Sequence, residues 1–501
     1  MVKVSPKTGT CDFDASSMIG RAAEWDRLTA FATSGTPGPS LGLVWGRRRV
    51  GKSFLLETLA EQTGGFYYQA VRGSSAEALR DFGERLGEFQ GAAAPLALTD
   101  WERGIDALLS LGQERERLVV LDEFPYLLEH SPELASIIQR ALGTRRGSRR
   151  ESQVRLILCG SAITVMSQLL AGTAPLRGRA GLDLRVSPFD YRVARELHGI
   201  EHLPTAVAAF ATIGGVAAYA REMSEHDMPA DAHDFARWIC RRVLSPAAPL
   251  FSEIELLLSE DPAMSKARKI NLYHATLAGI ATGHHAWSSL CAYVKTASAS
   301  LLPIVDALVA AELVVRVDDP IRDRRPTYHP GDSLLRFHYA VTRRHQARLA
   351  RHSADRGAIW GDIEPTFRSQ VLGPCFETMA RYWTQHFAAR RTLGGSPDRV
   401  GTTVLATADH REQQLDVVVA ADDGAVPSER TVSAIGEAKV GETLTTWHLK
   451  RLEQARAALG PRAADCKLLL FGSRFDNALR EVIEKRSDIE AITLERLYTG
   501  D

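Results

Sequence analysis

Gly46-Arg47-Arg48-Arg49-Val50-Gly51-Lys52-Ser53 fits the pattern G-x-x-x-x-G-K-[ST], whose two glycines let the backbone curl so that its N–H groups point inward at phosphate oxygens. The flanks of this stretch decide the fold. Leu41-Gly42-Leu43-Val44-Trp45 reads as a short buried strand, and Phe54-Leu55-Leu56-Glu57-Thr58-Leu59 opens an amphipathic helix. Strand, glycine loop and helix N-terminus together make an anion site, to which the helix dipole adds. The expected nucleotide cradle is Gly46, Arg47, Arg48, Arg49, Val50, Gly51, Lys52, Ser53 and Phe54. Lys52 is expected to reach the β and γ phosphates of ATP, and Ser53 to ligate Mg²⁺.

A phosphate loop of this kind needs a second strand ending in acids, and Arg117-Leu118-Val119-Val120-Leu121-Asp122-Glu123 supplies it. The unbroken apolar run suits a strand buried on both faces of a parallel sheet. Asp122 is expected to hold the metal, and Glu123 to orient or deprotonate the attacking water. Val154-Arg155-Leu156-Ile157-Leu158-Cys159-Gly160-Ser161 reads as another buried strand, with Ser161 as a sensor of the γ-phosphate. Gly65 to Gln69 and Leu182 to Val186 complete the strands, and their alternation with helices implies right-handed crossovers. Pro175-Leu176-Arg177-Gly178-Arg179 is a turn whose arginines are either surface groups or fingers on the γ-phosphate. Such a finger would act in cis or from a neighbouring copy in a homo-oligomer.

With 501 residues, 45% of them hydrophobic, the chain can bury several cores, while its formal net charge of zero supplies no global field toward nucleic acid or membrane. Cys11, Cys159, Cys240, Cys291, Cys375 and Cys466 are widely spaced, which favours a reducing cytoplasm over a disulfide framework or a zinc knuckle. No run approaches the roughly 18 apolar residues of a membrane span, so no membrane partner is expected. About ten Lys stand against about fifty Arg, which makes Lys52 and Lys439 conspicuous at positions where a compact ammonium suits the chemistry.

Met18-Ile19-Gly20-Arg21, the loop 46–53, Leu121-Asp122-Glu123, Gly160-Ser161 and the turn 175–179 together resemble the archaeal-type ATPases of the AAA+/STAND group. The resemblance implies that Ile19, Gly20 and Arg21 lie near the adenine and that Arg179 is the arginine of the family's Pro-Leu-x-Gly-Arg turn. Gly214-Gly215-Val216-Ala217-Ala218-Tyr219 is similar to the family's lid segment, with Ala217 where proline is usual.

Residues 263–345 have a different grammar. Helices at 270–282 and from Ser298 precede two short strands around Leu313 to Val317 and Pro326 to His329, the order of a winged helix-turn-helix. Arg322, Arg324 and Arg325 would touch DNA phosphates if the module binds DNA. The apolar helix from Ala299 to Ala311 lacks base-reading residues, and a protein-contact role stands beside the DNA one. Farther on, Gln414 to Val419 and Val432 to Lys439 read as paired strands. Alternation puts Glu437 and Lys439 on one face, within reach of Asp416. Carboxylates and a lysine suit metal-dependent phosphodiester hydrolysis, with Asp416 and Glu437 on the metal and Lys439 stabilising charge. With helical Glu377 upstream, the set resembles the PD-(D/E)xK nucleases, active or retained as a binding fold.

The expected architecture is α/β. A tail (1–17) precedes a P-loop AAA+ parallel-sheet core (18–195), and a helical lid (196–262) follows. A winged helix-turn-helix (263–345), a helical linker (346–370) and a restriction-endonuclease-like α/β domain (371–501) complete it. The expected activity is Mg²⁺-dependent ATP hydrolysis controlling a nuclease-like domain that acts on DNA, or a nucleotide-dependent switch whose last domain does not cut.

Overall fold

The computed structural model describes residues 18–143, 152–172, 174–260, 270–351, 355–406 and 412–501. The tail expected at 1–17, with Cys11, and the boundary expected at 262/263 lie outside the described residues. The chain divides into two compact units after Pro188.

In the first unit, β1 (Ser40–Trp45), β2 (Phe66–Gln69), β3 (Arg117–Asp122), β4 (Val154–Gly160) and β5 (Ala180–Arg185) form one parallel sheet in the order β2-β3-β4-β1-β5. Alternate residues serve opposite faces. Leu43, Val119, Leu121, Leu156 and Leu158 pack with the Ser75–Phe89, Trp101–Ser110 and Leu134–Gly143 helices, whereas Val44, Val120 and Ile157 pack with Leu28, Leu55, Leu56 and Leu59. Burial on both faces is why these strands read as continuous apolar runs. The parallel arrangement also brings Gly46, Asp122 and Ser161 to one edge of the sheet.

The division between the units falls a few residues before the boundary expected at 195, and Tyr191 is wholly buried in the second unit, where it donates to the Leu497 carbonyl at 2.8 Å. Arg192 reinforces this tie, with Nε 3.0 Å from the same oxygen and its guanidinium 3.7 Å over the Phe387 ring. The segments expected as lid, middle domain, linker and last domain lie in one compact unit, much of it packed around one extended core. In the stretch 346–370, expected as a helical linker, Ile359, Trp360, Ile363 and Phe367 of the Arg356–Phe367 helix are buried in that core. The helix passes through a π-helical turn, Arg368–Leu372, into the Gly373–His386 helix. Pro374 offers no N–H there, which suits a widened turn.

The Ile270–Ala281, Trp287–Val294 and Ser298–Ala310 helices precede an antiparallel ribbon of β6 (Val314–Val317) and β7 (Thr327–Pro330). The ribbon's connection does not stand free. Ile321 is 1% exposed within a core made otherwise by the C-terminal sheet and its helix, the Thr403 hydroxyl donates to Asp319 at 2.6 Å, and Arg430 donates to the Pro320 carbonyl at 3.0 Å. Arg324 and Arg325 remain exposed while Arg322 is half-buried.

A second five-stranded sheet closes the unit: β8 (Arg399–Ala406), β9 (Glu412–Ala420), β10 (Val432–Leu444), β11 (Lys467–Phe475) and β12 (Ile489–Ile492), ordered β12-β11-β10-β9-β8. The β8-β9 and β9-β10 pairs are antiparallel, and β10-β11 and β11-β12 are parallel. Phe376, Met379, Ala380 and Trp383 of the Gly373–His386 helix share a core with Val417, Ala434 and Phe471 on one face. Leu449, Leu452 and Ala455 of the Thr446–Leu459 helix share another with Val418, Ile435 and Leu470.

Because Ile321 seats the ribbon in the sheet's core, Ile321→Ala is expected to destabilise the second unit by about 2–4 kcal/mol. A urea midpoint unchanged from wild type would show that this anchoring contributes nothing.

Candidate functional sites

At the C-terminal edge of β1, Gly46 takes φ +148°, and a Cβ there would lie 2.1 Å from the Val186 carbonyl oxygen. Only glycine therefore lets the loop leave the strand this close to the exit of β5. Gly51, at φ +98°, turns the chain into the Lys52–Thr63 helix and brings no side chain to cap its first turn. That turn thus presents N–H donors without a side-chain acceptor, a donor set that fits phosphate. Buried Lys52 donates through Nζ to the Gly46 and Arg47 carbonyls at 2.9 and 2.8 Å, which bends its ammonium over the loop. Burial pulls its pKa down, opposed by the nearby Cys159, Glu123 and Asp122.

The expected acids are in place. Asp122 Oδ2 accepts from Ser53 Oγ at 2.6 Å and from the Tyr67 hydroxyl at 2.7 Å, while Oδ1 accepts the Glu123 amide at 2.8 Å. Sequence reasoning missed Tyr67. Its signal was a polar ring on the strand that follows the phosphate-loop helix. Glu123 adopts φ +50°, a left-handed conformation uncommon for a non-glycine residue and a store of local strain. Ser161 Oγ donates to both of its carboxylate oxygens, at 2.9 and 3.1 Å. The residue expected to sense phosphate therefore aims Glu123.

Arg21 braces the loop from behind, donating to the Val50 carbonyl at 2.9 Å and the Ser187 carbonyl at 2.8 Å, with Glu24 at 2.7 Å. Burial lowers its pKa, which Glu24 partly offsets. Arg48 donates to the Tyr126 hydroxyl at 2.7 Å, Arg49 takes φ +67° and Phe54 is exposed on the helix. Ile19 is half-buried and Gly20 exposed beside Arg21. Arg179 does not join this edge. It precedes β5, whose Ala180 is paired with Leu41 at the start of β1, so a strand length of roughly 17 Å separates it from Gly46 in the same unit.

The second unit gathers the other expected residues. The register sets Gly436 opposite Val417, which makes Asp416 and Glu437 neighbours across β9 and β10. Lys439 Nζ lies 3.4 Å from Asp416 Oδ2 and 3.2 Å from Glu437 Oε1, and Asp416 Oδ2 also accepts the Ala438 amide at 2.9 Å. Burial alone would lower the Lys439 pKa, but Asp416, Glu437 and Glu377 outweigh it and raise the value.

Two arginines complete the cluster and were not legible beforehand. Arg451 donates to Glu437 Oε1 at 2.8 Å, and Arg381 donates to the Asp416 carbonyl at 2.9 Å. Glu377 joins at one remove, through Gln414 Nε2, which is 3.5 Å from Glu377 Oε2 and 3.3 Å from Asp416 Oδ1. Burial, with the Asp416 charge adding to it, pushes the Glu377 carboxyl up to about 7. Glu437 Oε2 is buried with no hydrogen-bond partner among the described residues, a lone pair that a cation would satisfy.

The fold and the first site define a P-loop ATPase domain. Residues 18–202 match the model of a family described as an ATPase domain predominantly from Archaea, so this domain is an ATP-binding ATPase domain of archaeal type. An uncharacterized protein of Methanocaldococcus jannaschii is 21% identical over 388 residues, 76% of this chain and 80% of that one. The Walker-type ATPase PABY2304 of Pyrococcus abyssi is 20% identical, over 66% of this chain and 98% of its own, with a TM-score of 0.49. The ORC2 protein of Aeropyrum pernix, in its ADPNP-ADP complexes, is 12% identical over 66% of this chain and 95% of its own, with a TM-score of 0.39. Among the described residues no single helix is long and apolar enough to cross a membrane.

Lys52→Ala is expected to abolish nucleotide binding or turnover and Glu123→Gln to trap bound ATP. Ser161→Ala, which releases Glu123, should lower the hydrolysis rate about tenfold or more with nucleotide affinity nearly unchanged. Wild-type turnover in all three variants would remove these roles. For Glu377, a folded pKa above the unfolded one means that its contribution to stability is complete below pH 4.5 and lost as pH rises through about 7. Glu377→Gln should therefore unfold at higher urea than wild type at pH 8, by on the order of 1–2 kcal/mol, with the gap closing toward pH 5. A gap independent of pH would rule out this titration.

Proposed function

We propose that the chain is an AAA+/STAND-type protein whose Mg²⁺-dependent ATP cycle controls a metal-dependent nuclease-like domain acting on DNA. On this reading Ser53 and Asp122 hold Mg²⁺ at the nucleotide, Lys52 neutralises the γ-phosphate, and Glu123, aimed by Ser161, orients the attacking water. Arg21 with Ile19 and Gly20 shapes the adenine end through the loop it braces. Arg179, remote from its own Gly46, would serve the γ-phosphate of a neighbouring copy, which implies a homo-oligomer.

The nuclease reading rests on one observation, the Lys439 ammonium 3.4 Å from Asp416 and 3.2 Å from Glu437 beside a buried Glu437 oxygen without a hydrogen-bond partner among the described residues. The strand order and the helix carrying Glu377 support a PD-(D/E)xK domain over 371–501. Among the described residues no three His, Cys, Asp or Glu side chains converge tightly enough to enclose a metal unaided. An ion held by Asp416 and Glu437 would keep part of its shell for water and a phosphate oxygen, the habit of Mg²⁺. The bound metal would supply an activated water and charge neutralisation. Lys439 would add positive charge at the same phosphate.

The three helices before the ribbon support a winged helix-turn-helix, with Arg324 and Arg325 as its solvent-facing cations. A second reading, a nucleotide-dependent switch whose sheet binds without cutting, is favoured by the Glu437 oxygen that both Lys439 and Arg451 already neutralise.

Asp416→Ala and Lys439→Ala are each expected to abolish nicking of supercoiled plasmid in Mg²⁺ or Mn²⁺ while leaving ATP hydrolysis intact. Nicking that persists unchanged in both variants, or is absent from wild type under every nucleotide condition, decides for the switch.

A further inference from the structure

On the helix that follows β10, Trp447 is 58% exposed, unusual for the side chain with the most to gain from burial. The ring is nevertheless held in place. The Arg451 guanidinium lies over it at 4.9 Å, and His448 meets it at 87° with centroids 4.9 Å apart. Trp447 and Arg451 are four residues apart and so share one helix face. That face points at the acid and lysine cluster, because the same Arg451 donates to Glu437. A single guanidinium thus spans the gap between an exposed indole and the carboxylate proposed to bind metal.

The surroundings carry several cations, beside an exposed acid, Glu442, 3.9 Å from His448. Two residues beyond Lys439, Gly441 turns at φ +84°, and its carbonyl accepts from exposed Arg474 at 3.0 Å. Arg368, itself paired with Glu364 at 2.6 Å, comes within 3.4 Å of where a Cβ on Gly441 would stand. An immobilised aromatic plane beside guanidinium and ammonium groups is complementary to one kind of polymer, an anionic backbone bearing flat bases that are free to leave their neighbours. Base pairs in a duplex are stacked on both sides and offer no such plane.

We propose that Trp447 is a stacking platform for an unpaired DNA base, so that the strand presented to Asp416, Glu437 and Lys439 is single-stranded or locally opened. This deepens the nuclease-like reading of the site and rests on it for where the backbone runs, but binding by Trp447 does not require cutting. Arg451 is the positioning residue, fixing the ring against the cluster, and Arg474 and Lys439 take the phosphates on either side. Stacking of a base on an aromatic side chain contributes about 1–3 kcal/mol, or roughly five- to more than a hundredfold in affinity.

The test uses the full chain in EDTA, where no strand is cut, with a fluorescein-labelled oligo(dT) of about 20 nucleotides and a blunt duplex of equal length, read by anisotropy. Trp447→Ala should weaken binding of the single strand about tenfold or more, with the duplex moved by less than about twofold, and Trp447→Phe should recover most of the loss. An unaltered thermal midpoint and ATP hydrolysis rate in both variants show that the fold is kept. The inference is overturned if Trp447→Ala leaves oligo(dT) affinity unchanged, if both ligands weaken equally, or if wild type does not bind oligo(dT). Plasmid nicking read alongside separates the two ideas. A Trp447 effect without nicking removes only the cutting, and nicking without a Trp447 effect removes only the platform.

Discussion

Asp416 is a carboxylate with 4% of its surface exposed in the middle of a sheet, and two helices and a neighbouring strand of the second unit supply the partners of its group of charges. An isolated buried charge would cost several kcal/mol and would take up a proton instead. Here the cost is offset by an alternating series. Arg381 holds the backbone of Asp416, the Ala438 amide and Lys439 meet its side chain, Lys439 also faces Glu437, and Arg451 closes the far end. Glu377 stands at the near end, where burial first and the Asp416 charge second drive its carboxyl upward. The series spans two helices and two strands, so the strand register and the placement of both helices answer to one electrostatic requirement.

The first unit solves a related problem with different chemistry. Asp122 is fully buried, yet its close partners are two hydroxyls and a backbone amide, with the Lys52 ammonium turned to the loop carbonyls. Neutral hydroxyls can turn from donating to Asp122 to ligating an ion beside it without leaving a cation stranded. At Asp416 and Glu437, by contrast, an arriving metal must share its oxygens with lysine and arginine. The two acid pairs, similar on paper, are therefore poised differently. Under the proposed function, the first would suit ready exchange of a metal and nucleotide, and the second would be held until a polyanion took over Lys439 and Arg451.

How much of this was legible follows from the range of each signal. The phosphate loop, Asp122 and Glu123 were legible because each is a local pattern: glycines that only a curled backbone requires, and an apolar run ending in acids. Asp416, Glu437 and Lys439 were legible because alternation along two neighbouring strands is a short-range rule. Arg381, Arg451 and Tyr67 were not, since each reaches its acidic residue, Arg381 through the Asp416 carbonyl, from an element whose packing the sequence does not encode locally. The aim of Ser161 at Glu123 depends in the same way on two strands that are adjacent only in space, β3 and β4. The division after Pro188 was not legible in the same way, because Tyr191 and Arg192 find their partners near residue 497, some three hundred residues away.

The same long-range packing changes what the middle of the chain can do. A winged module joined by a linker would swing as a body and leave the sheet undisturbed. In this unit the ribbon tip is buried in the sheet's core through Ile321, and the segment expected as linker is a packed helix running through a π-helical turn into the helix of Glu377 and Arg381. A shift of the helical part therefore reaches the sheet along that helix, and the first groups it moves are Glu377 and the guanidinium that holds Asp416. The turn at Arg368–Leu372 is the place where such a shift meets least resistance, because Pro374 has already removed one hydrogen bond of the ladder. If the second site is controlled as proposed, this geometry favours a change in how Asp416 is held over the uncovering of a site built in advance.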